Sequence, residues 1–269
     1  MAHENEYFDN MVTMLELIWG AGYMAPGGPG NVAKLLQGTH PEGKRILDIG
    51  CGIGGPALEM TSTFGATVTG IDLEAPLIAR ATEDVRTRGL DDRCKFQTVS
   101  IGPLPFPDES FDIVVSSGAI TQTSDKTALF AEILRVLEPG GYLSCYEWMR
   151  SDKEYSKDMI KWFELEGLTY DLNTLDAYGK RFAATGFKDV VMTDASDWYR
   201  REARREYELI NGDLYERMIE LLGLADADHF VENWRALAVV CESGELLQGY
   251  CRGTKNPALV GEELGGAGC

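Results

Sequence analysis

The sequence is poor in histidine, in paired cysteine and in positive charge. Three scattered histidines and six cysteines with no CxxC pair (Cys51, Cys94, Cys145, Cys241, Cys251, Cys269) make no zinc pattern, so no metal site is expected. Six free thiols in a reducing compartment are the simplest expectation. Lysine and arginine number 25 against 43 aspartates and glutamates, for a formal net charge of −18. That charge repels phosphate backbones and anionic bilayers, which argues against nucleic-acid or membrane partners and suits a cationic or neutral small molecule. Solubility alone would account for it equally well. No apolar run approaches the roughly 20 residues that span a bilayer. The opening residues, MAHENE, are polar and acidic, unlike a signal peptide, so a cytoplasmic protein is expected. There is no internal repeat, and the only low-complexity stretch is the glycine-rich segment 261–269.

What is present is core material in a regular alternation. Hydrophobic residues are 44% of 269, an ordinary globular share. Short apolar runs at 45–49, 67–71, 95–99, 111–116 and 142–148 read as buried strands. Segments with helical spacing follow at 57–64, 75–88 and 126–137. Pro139-Gly140-Gly141 breaks the last of these. Strands alternating with helices imply parallel pairing through right-handed crossovers. The expected fold is therefore α/β: a Rossmann-like, doubly wound, mostly parallel sheet. Further runs at 188–192 and 248–252 would bring it to seven strands. The expected organisation is a helical cap over 1–43, the core over 44–150, a helical lid with the last strands over 151–256, and a flexible tail over 257–269. Within the cap, 9–19 reads as a helix and 24–30 as a glycine-proline loop.

The strongest motif is LDIGCGIGG at 47–55, placed where a strand turns into a helix. Glycines there permit a tight turn and close approach of a ligand. Gly50, Gly52 and Gly55 satisfy GxGxxG, the dinucleotide pattern, which alone is weak. Asp48, two residues before Gly50, shifts the balance. An acid at that place suits the amino group of a methionine moiety and would repel a pyrophosphate. Asp72 ends the next strand, where a carboxylate can accept both hydroxyls of a ribose.

Four motifs together, LDIGCGIGG (47–55), GIDL (70–73), PFPDESFDIVVSSGAI (105–120) and RVLEPGGYL (135–143), resemble the class I S-adenosylmethionine-dependent methyltransferases. The resemblance implies that Asp48, Gly50 and Gly52 line the methionine end of S-adenosyl-L-methionine. It implies that Asp72 holds the ribose, and that Leu73, Ser100 and Ile101 border the adenine. Ser100 stands where many members carry an acid. Ser117 and Gly118 would lie near the transferred methyl, and S-adenosyl-L-homocysteine would be the product.

The flanks sharpen the resemblance. Residues 7–31 (YFDNMVTMLELIWGAGYMAPGGPGN), 178–190, Trp234 and 249–256 look like the phosphoethanolamine N-methyltransferases. The IWG segment is more loosely similar to glycine, sarcosine and dimethylglycine methyltransferases. The implied reaction is N-methylation of a small amine, with Tyr7 accepting the amine proton and Gln122 standing where the family has a histidine. Gln122 cannot titrate and can only orient by hydrogen bonds. Gly118 replaces an aspartate and Trp148 a tyrosine. Tyr170 is kept, but Leu168 replaces the arginine two residues before it. The stretch 236–245, where a phosphate-binding lysine belongs, has neither lysine nor arginine. Each missing charge-assisted contact would weaken phosphate binding by about 1.5–3 kcal/mol, so an unphosphorylated amine or amino acid derivative is expected. Trp19, Tyr23, Trp148 and Tyr170 would form an aromatic wall for a methylated cation, although aromatics also bury themselves for area alone. Glu147 is a second candidate base. The basic cluster within 197–205 is either a grip for a carboxylate or a solvated face. Methyl transfer to oxygen, sulfur or carbon, or a non-catalytic S-adenosylmethionine-binding role, are the alternatives.

Overall fold

A computed structural model describes residues 9–257. Tyr7 and almost all of the expected tail lie outside the described residues. The elements in order are α1 (Asp9–Trp19), α2 (Gly28–Leu35), β1 (Arg45–Ile49), α3 (Gly55–Ser62), β2 (Thr67–Asp72), α4 (Ala75–Thr87), β3 (Cys94–Thr98) and β4 (Phe111–Ser117). A 3-10 turn (Ile120–Gln122) follows, then α5 (Lys126–Val136), β5 (Leu137–Arg150), α6 (Lys157–Glu166), α7 (Leu175–Thr185) and β6 (Lys188–Asp194). The chain closes with α8 (Ser196–Ile210), α9 (Tyr215–Leu222), α10 (Leu224–Glu242) and β7 (Leu246–Thr254).

The seven strands form one sheet in the order β3-β2-β1-β4-β5-β7-β6. The first five are parallel, and β7 runs antiparallel to both β5 and β6. This is the Rossmann-like α/β fold expected from the alternation. Strand order reverses between β1 and β4, and in such sheets a crevice opens at the carboxyl ends of the strands at that reversal.

Two sequence expectations need correction. Residues 24–30 are not all loop, because α2 begins at Gly28. Gly27 takes a left-handed φ of 97° before it, and Pro29 sits in its first turn, where a missing N–H does no harm. The Pro139-Gly140-Gly141 segment does not separate helix from strand. Strand β5 already starts at Leu137, and its pairing with β4 shifts register between Phe111 and Ile113. The irregularity absorbs residues that cannot hold a regular ladder.

Burial explains why the sheet holds. Leu47, Val114, Phe130, Ile133, Tyr178 and Phe182 pack in one cluster with α5 and α7. Val32, Ile46, Ala57, Leu58, Val68 and Val85 pack in another with α2, α3 and α4. A third, from Met14, Trp162, Tyr199, Met218, Phe230 and Trp234, joins α1 to the helical lid. Each large side chain buried this way stabilises the fold by about 1.5–3 kcal/mol. Among the described residues no helix is long and apolar enough to cross a membrane.

Candidate cofactor and acceptor site

The glycine turn after β1 is held by its neighbour strand. Gly50 N and Cys51 N both donate to Ile71 O, at 2.8 and 3.1 Å. Gly50 has a φ of 70°, and a Cβ there would stand 2.1 Å from the Ala119 Cβ, so only glycine keeps this crevice open. Gly55 has ordinary backbone geometry, yet its Cβ would lie 2.1 Å from Gly22 O. Its N–H donates to that same oxygen at 3.0 Å. The turn between α1 and α2 thus seats directly on the start of α3.

Asp48 and Asp72 flank this turn. Asp48 is fully buried, its Oδ2 has no hydrogen-bond partner, and burial, reinforced by the charge of Asp72, pushes its carboxyl up to about 7. An orphaned carboxylate oxygen in a dry place is destabilised until a cation meets it. Asp72 accepts from Gly52 N at 2.9 Å and from Glu74 N at 3.0 Å, one to each oxygen. Each oxygen keeps a lone pair for a further donor. Just beyond β2 and β3, Leu73 is 45% and Ile101 79% exposed, and Ser100 is exposed too. Two accessible apolar side chains at adjacent strand ends suit a flat apolar ring. The glycine crevice, the orphan Asp48 oxygen and these side chains fit a nucleoside joined to an amino acid.

The acceptor-side candidates gather past β4 and β5. The Ser117 hydroxyl accepts from Asn31 Nδ2 at 2.9 Å. Gly118 takes a φ of 80° and donates its N–H to Tyr146 O. Gln122 ends the 3-10 turn half-buried. Glu147 lies wholly buried beneath that turn and accepts from Thr121 N at 2.9 Å, while its Oε1 has no partner. Burial pushes its carboxyl up to about 8 against the pull of the Thr121 amide and Lys126. Trp148 meets Tyr199 edge-on at 4.9 Å and lies 6.1 Å from Trp162. Tyr170 stacks on Trp162 at 5.5 Å and donates to Glu166 Oε1 at 2.8 Å.

Three of the four expected aromatics, Trp19, Trp148 and Tyr170, border the lid cluster. Tyr23 does not join that wall. It packs against Val32, Leu36 and Ala57 on the sheet face below, and burial, reinforced by Glu59, pushes its phenol up to about 12. Of the basic cluster within 197–205, Arg200, Arg204 and Arg205 pair with Asp197, Glu242 and Glu202 on the surface.

Three polar residues at the site escaped the sequence reading. Glu206, on α8, is buried and pushed up to about 7 by desolvation. It accepts from Trp19 Nε1 at 2.7 Å, Trp234 Nε1 at 3.3 Å and Tyr199 Oη at 3.3 Å. Its signal was periodicity: Tyr199, Ala203, Glu206 and Ile210 form one buried helical stripe with a single acid in it. Lys126 and Asn31 carried no comparable signal, because their burial depends on distant strands and loops.

Comparison with known proteins agrees with this geometry. A methyltransferase-domain family model matches residues 47–145. The chain is 30% identical over 252 residues to phosphoethanolamine N-methyltransferase 1 of Arabidopsis thaliana, covering 93% of this chain and 50% of that protein. It is 30% identical over 260 residues to the phosphoethanolamine N-methyltransferase of Plasmodium falciparum, covering 94% of each. Phosphoethanolamine N-methyltransferase 2 of Haemonchus contortus, solved with phosphomonomethylethanolamine and S-adenosylhomocysteine, superposes with a TM-score of 0.86 at 26% identity. That match covers 94% of this chain and 59% of the other. The chain spans about half the length of the plant relatives it matches. Identity along nearly the whole chain, on the fold and glycine crevice described above, places it in one family: the chain belongs to the phosphoethanolamine N-methyltransferases.

Proposed function

We propose that this protein transfers a methyl group from S-adenosylmethionine to the nitrogen of a small, unphosphorylated amine or amino acid derivative. The observation that carries the choice of acceptor is the charge of the lid side. Among the described residues, the buried carboxyls on that side are those of Glu147 and Glu206. Lys126, the one buried lysine among the described residues, is engaged by Thr121 O, Thr123 O and Asp171. Segment 236–245, the end of α10 and the turn after it, presents buried Ala236, Leu237, Ala238 and Val240, where the family resemblance implies a lysine. Such a lining favours a neutral or cationic acceptor over a dianion.

S-adenosylmethionine, when bound, supplies an electrophilic methyl on a good leaving group. The protein's part is to bind, align and keep water out. Asp48 meets the amino group of the methionine end and Asp72 the ribose hydroxyls, while Leu73, Ser100 and Ile101 border the base. Gln122 orients the acceptor by hydrogen bonds. Tyr7 is the proposed acceptor of the amine proton. Glu147 holds the 3-10 turn from beneath through the Thr121 amide. Trp148 and Tyr170 supply apolar walls that tolerate a methylated cation.

The test is calorimetric titration with S-adenosylmethionine and S-adenosylhomocysteine, followed by an acceptor panel scored by S-adenosylhomocysteine release. Phosphoethanolamine, ethanolamine, glycine, sarcosine and dimethylglycine would be compared. Turnover of an unphosphorylated amine is expected. Preferred turnover of phosphoethanolamine would refute the choice of acceptor, and failure to bind either cofactor form would refute the reaction.

A further inference from the structure

Asn31 lies in α2 and has no role in the reading above. It is 5% exposed, and both ends of its amide are engaged. Its Nδ2 donates to Ser117 Oγ at 2.9 Å, and its Oδ1 accepts from the Tyr250 hydroxyl at 2.8 Å. Ser117 closes β4 and Tyr250 belongs to β7. Tyr146 of β5 lies between them, in register with both. One asparagine therefore links β4 to β7 across β5. Its far end is held in turn: the Tyr250 ring packs 4.8 Å from Tyr146, and the Lys34 ammonium stands 5.7 Å over it.

The bridge fixes what Ser117 can offer. A hydroxyl has one proton and two lone pairs. The Asn31 N–H occupies a lone pair, and no group among the described residues takes the proton. Ser117 is half-buried at the open end of β4, next to Gly118, so its O–H is presented to the space beside the crevice. A nitrogen that accepts a methyl must keep its lone pair directed at that methyl, so a donor there serves an oxygen.

We propose that Asn31 is a positioning residue that makes Ser117 a fixed hydrogen-bond donor to an oxygen of the methyl acceptor. The acceptor class is thereby narrowed to amines carrying a hydroxyl, carboxylate or similar oxygen near the reacting nitrogen. This rests on the methyl-transfer reading above.

Asn31→Asp is the informative variant, because it keeps the shape. Its carboxylate accepts from Tyr250 and from Ser117 alike, which turns the serine proton away from the acceptor. With sarcosine and ethanolamine as probes, the acceptor KM should rise about three- to tenfold, the range of one neutral hydrogen bond. The dissociation constant for S-adenosylhomocysteine should stay within about twofold. In a Ser117→Ala background, Asn31→Asp should add nothing further, whereas a mere charge effect would persist there. An unchanged acceptor KM overturns the proposal, and is what a reversed amide, with Ser117 already donating to it, would give. Equal losses in KM and in S-adenosylhomocysteine affinity also overturn it, as does full persistence without Ser117. Wild-type protein that binds S-adenosylhomocysteine yet methylates neither probe defeats the reading beneath it, a result separable from any effect of the variant.

Discussion

The ammonium of Lys126 stands 3.0 Å from the carboxylate of Asp171 and also donates to the carbonyls of Thr121 and Thr123. The lysine side chain is fully buried while that of Asp171 is 45% exposed, and desolvation lowers the lysine pKa against the pull of the aspartate. Asp171 N also donates to Thr121 O at 2.9 Å. Thr121 and Thr123 flank Gln122, and Asp171 follows Tyr170. One cation thus ties the turn that carries Gln122 to the lid segment that carries Tyr170.

Removing that cation should loosen both acceptor-side elements and leave the cofactor crevice alone. Lys126→Met should lower unfolding free energy by about 1–3 kcal/mol in urea titrations, since the Thr123 carbonyl loses its donor and Asp171 its cation, while Thr121 O keeps only the Asp171 amide. The acceptor KM should rise while S-adenosylhomocysteine affinity holds. A parallel loss of both would show that Lys126 supports the fold in general and not this junction.

If Asp48 meets the amino group of the cofactor as proposed, cofactor binding should depend on pH. Its carboxyl is pushed up to about 7, so the free protein holds a proton there at pH 6 that the unfolded chain does not. Stability from this group therefore falls as pH rises from about 4 to 7 and is level above. A cation at Asp48 favours the ionised form, so binding releases a proton. Affinity for S-adenosylhomocysteine should increase about tenfold between pH 6 and 8. Calorimetry at pH 6.5 in buffers of different ionisation enthalpy should register the released proton. Asp48→Asn should abolish both signals, and their survival in that variant would assign the proton to another group.

Gly55→Ala tests the seat of the N-terminal cap. Its backbone is permissive, but the new methyl would meet Gly22 O at 2.1 Å. Overpacking of that kind costs about 1–3 kcal/mol. The melting temperature should fall, and cofactor affinity should fall with it as the turn between α1 and α2 lifts away. A variant as stable as the parent would mean that the cap moves without strain.

Gln122→Ala separates orientation from binding. No protein group among the described residues engages its side-chain amide, so its removal should leave stability and cofactor affinity nearly unchanged. Turnover should fall by about ten- to a hundredfold if the amide aligns the acceptor. Unaltered turnover would leave Gln122 without a part in the reaction.

The glycine crevice and its two flanking acids were legible in the sequence because local motifs build them. The glycine turn, Asp48 and Asp72 lie within 25 residues of one another, and strand alternation alone brings their strands together. The lid half was less legible. Tyr23 shares a residue type with Trp19 and Trp148, yet packs under α2, since ring chemistry says nothing about which face a loop presents. Glu206 was hidden among the charges of α8, although its place in the buried stripe was readable. Asn31 acquires its partners, and Lys126 its contact with Asp171, only through tertiary contacts, and no local pattern encodes those.

The bridge from Tyr250 through Asn31 to Ser117 spans 219 residues of chain between its first two members. During synthesis α2 waits for β7, which is made more than two hundred residues later. Strands β1 to β5 can pair before then, whereas β6, whose neighbour in the sheet is β7, and the Asn31–Tyr250 contact cannot form. Pairings this distant in sequence form late and slowly. Maturation of this protein should therefore show two stages, with ability to bind S-adenosylhomocysteine preceding competence to turn over an acceptor.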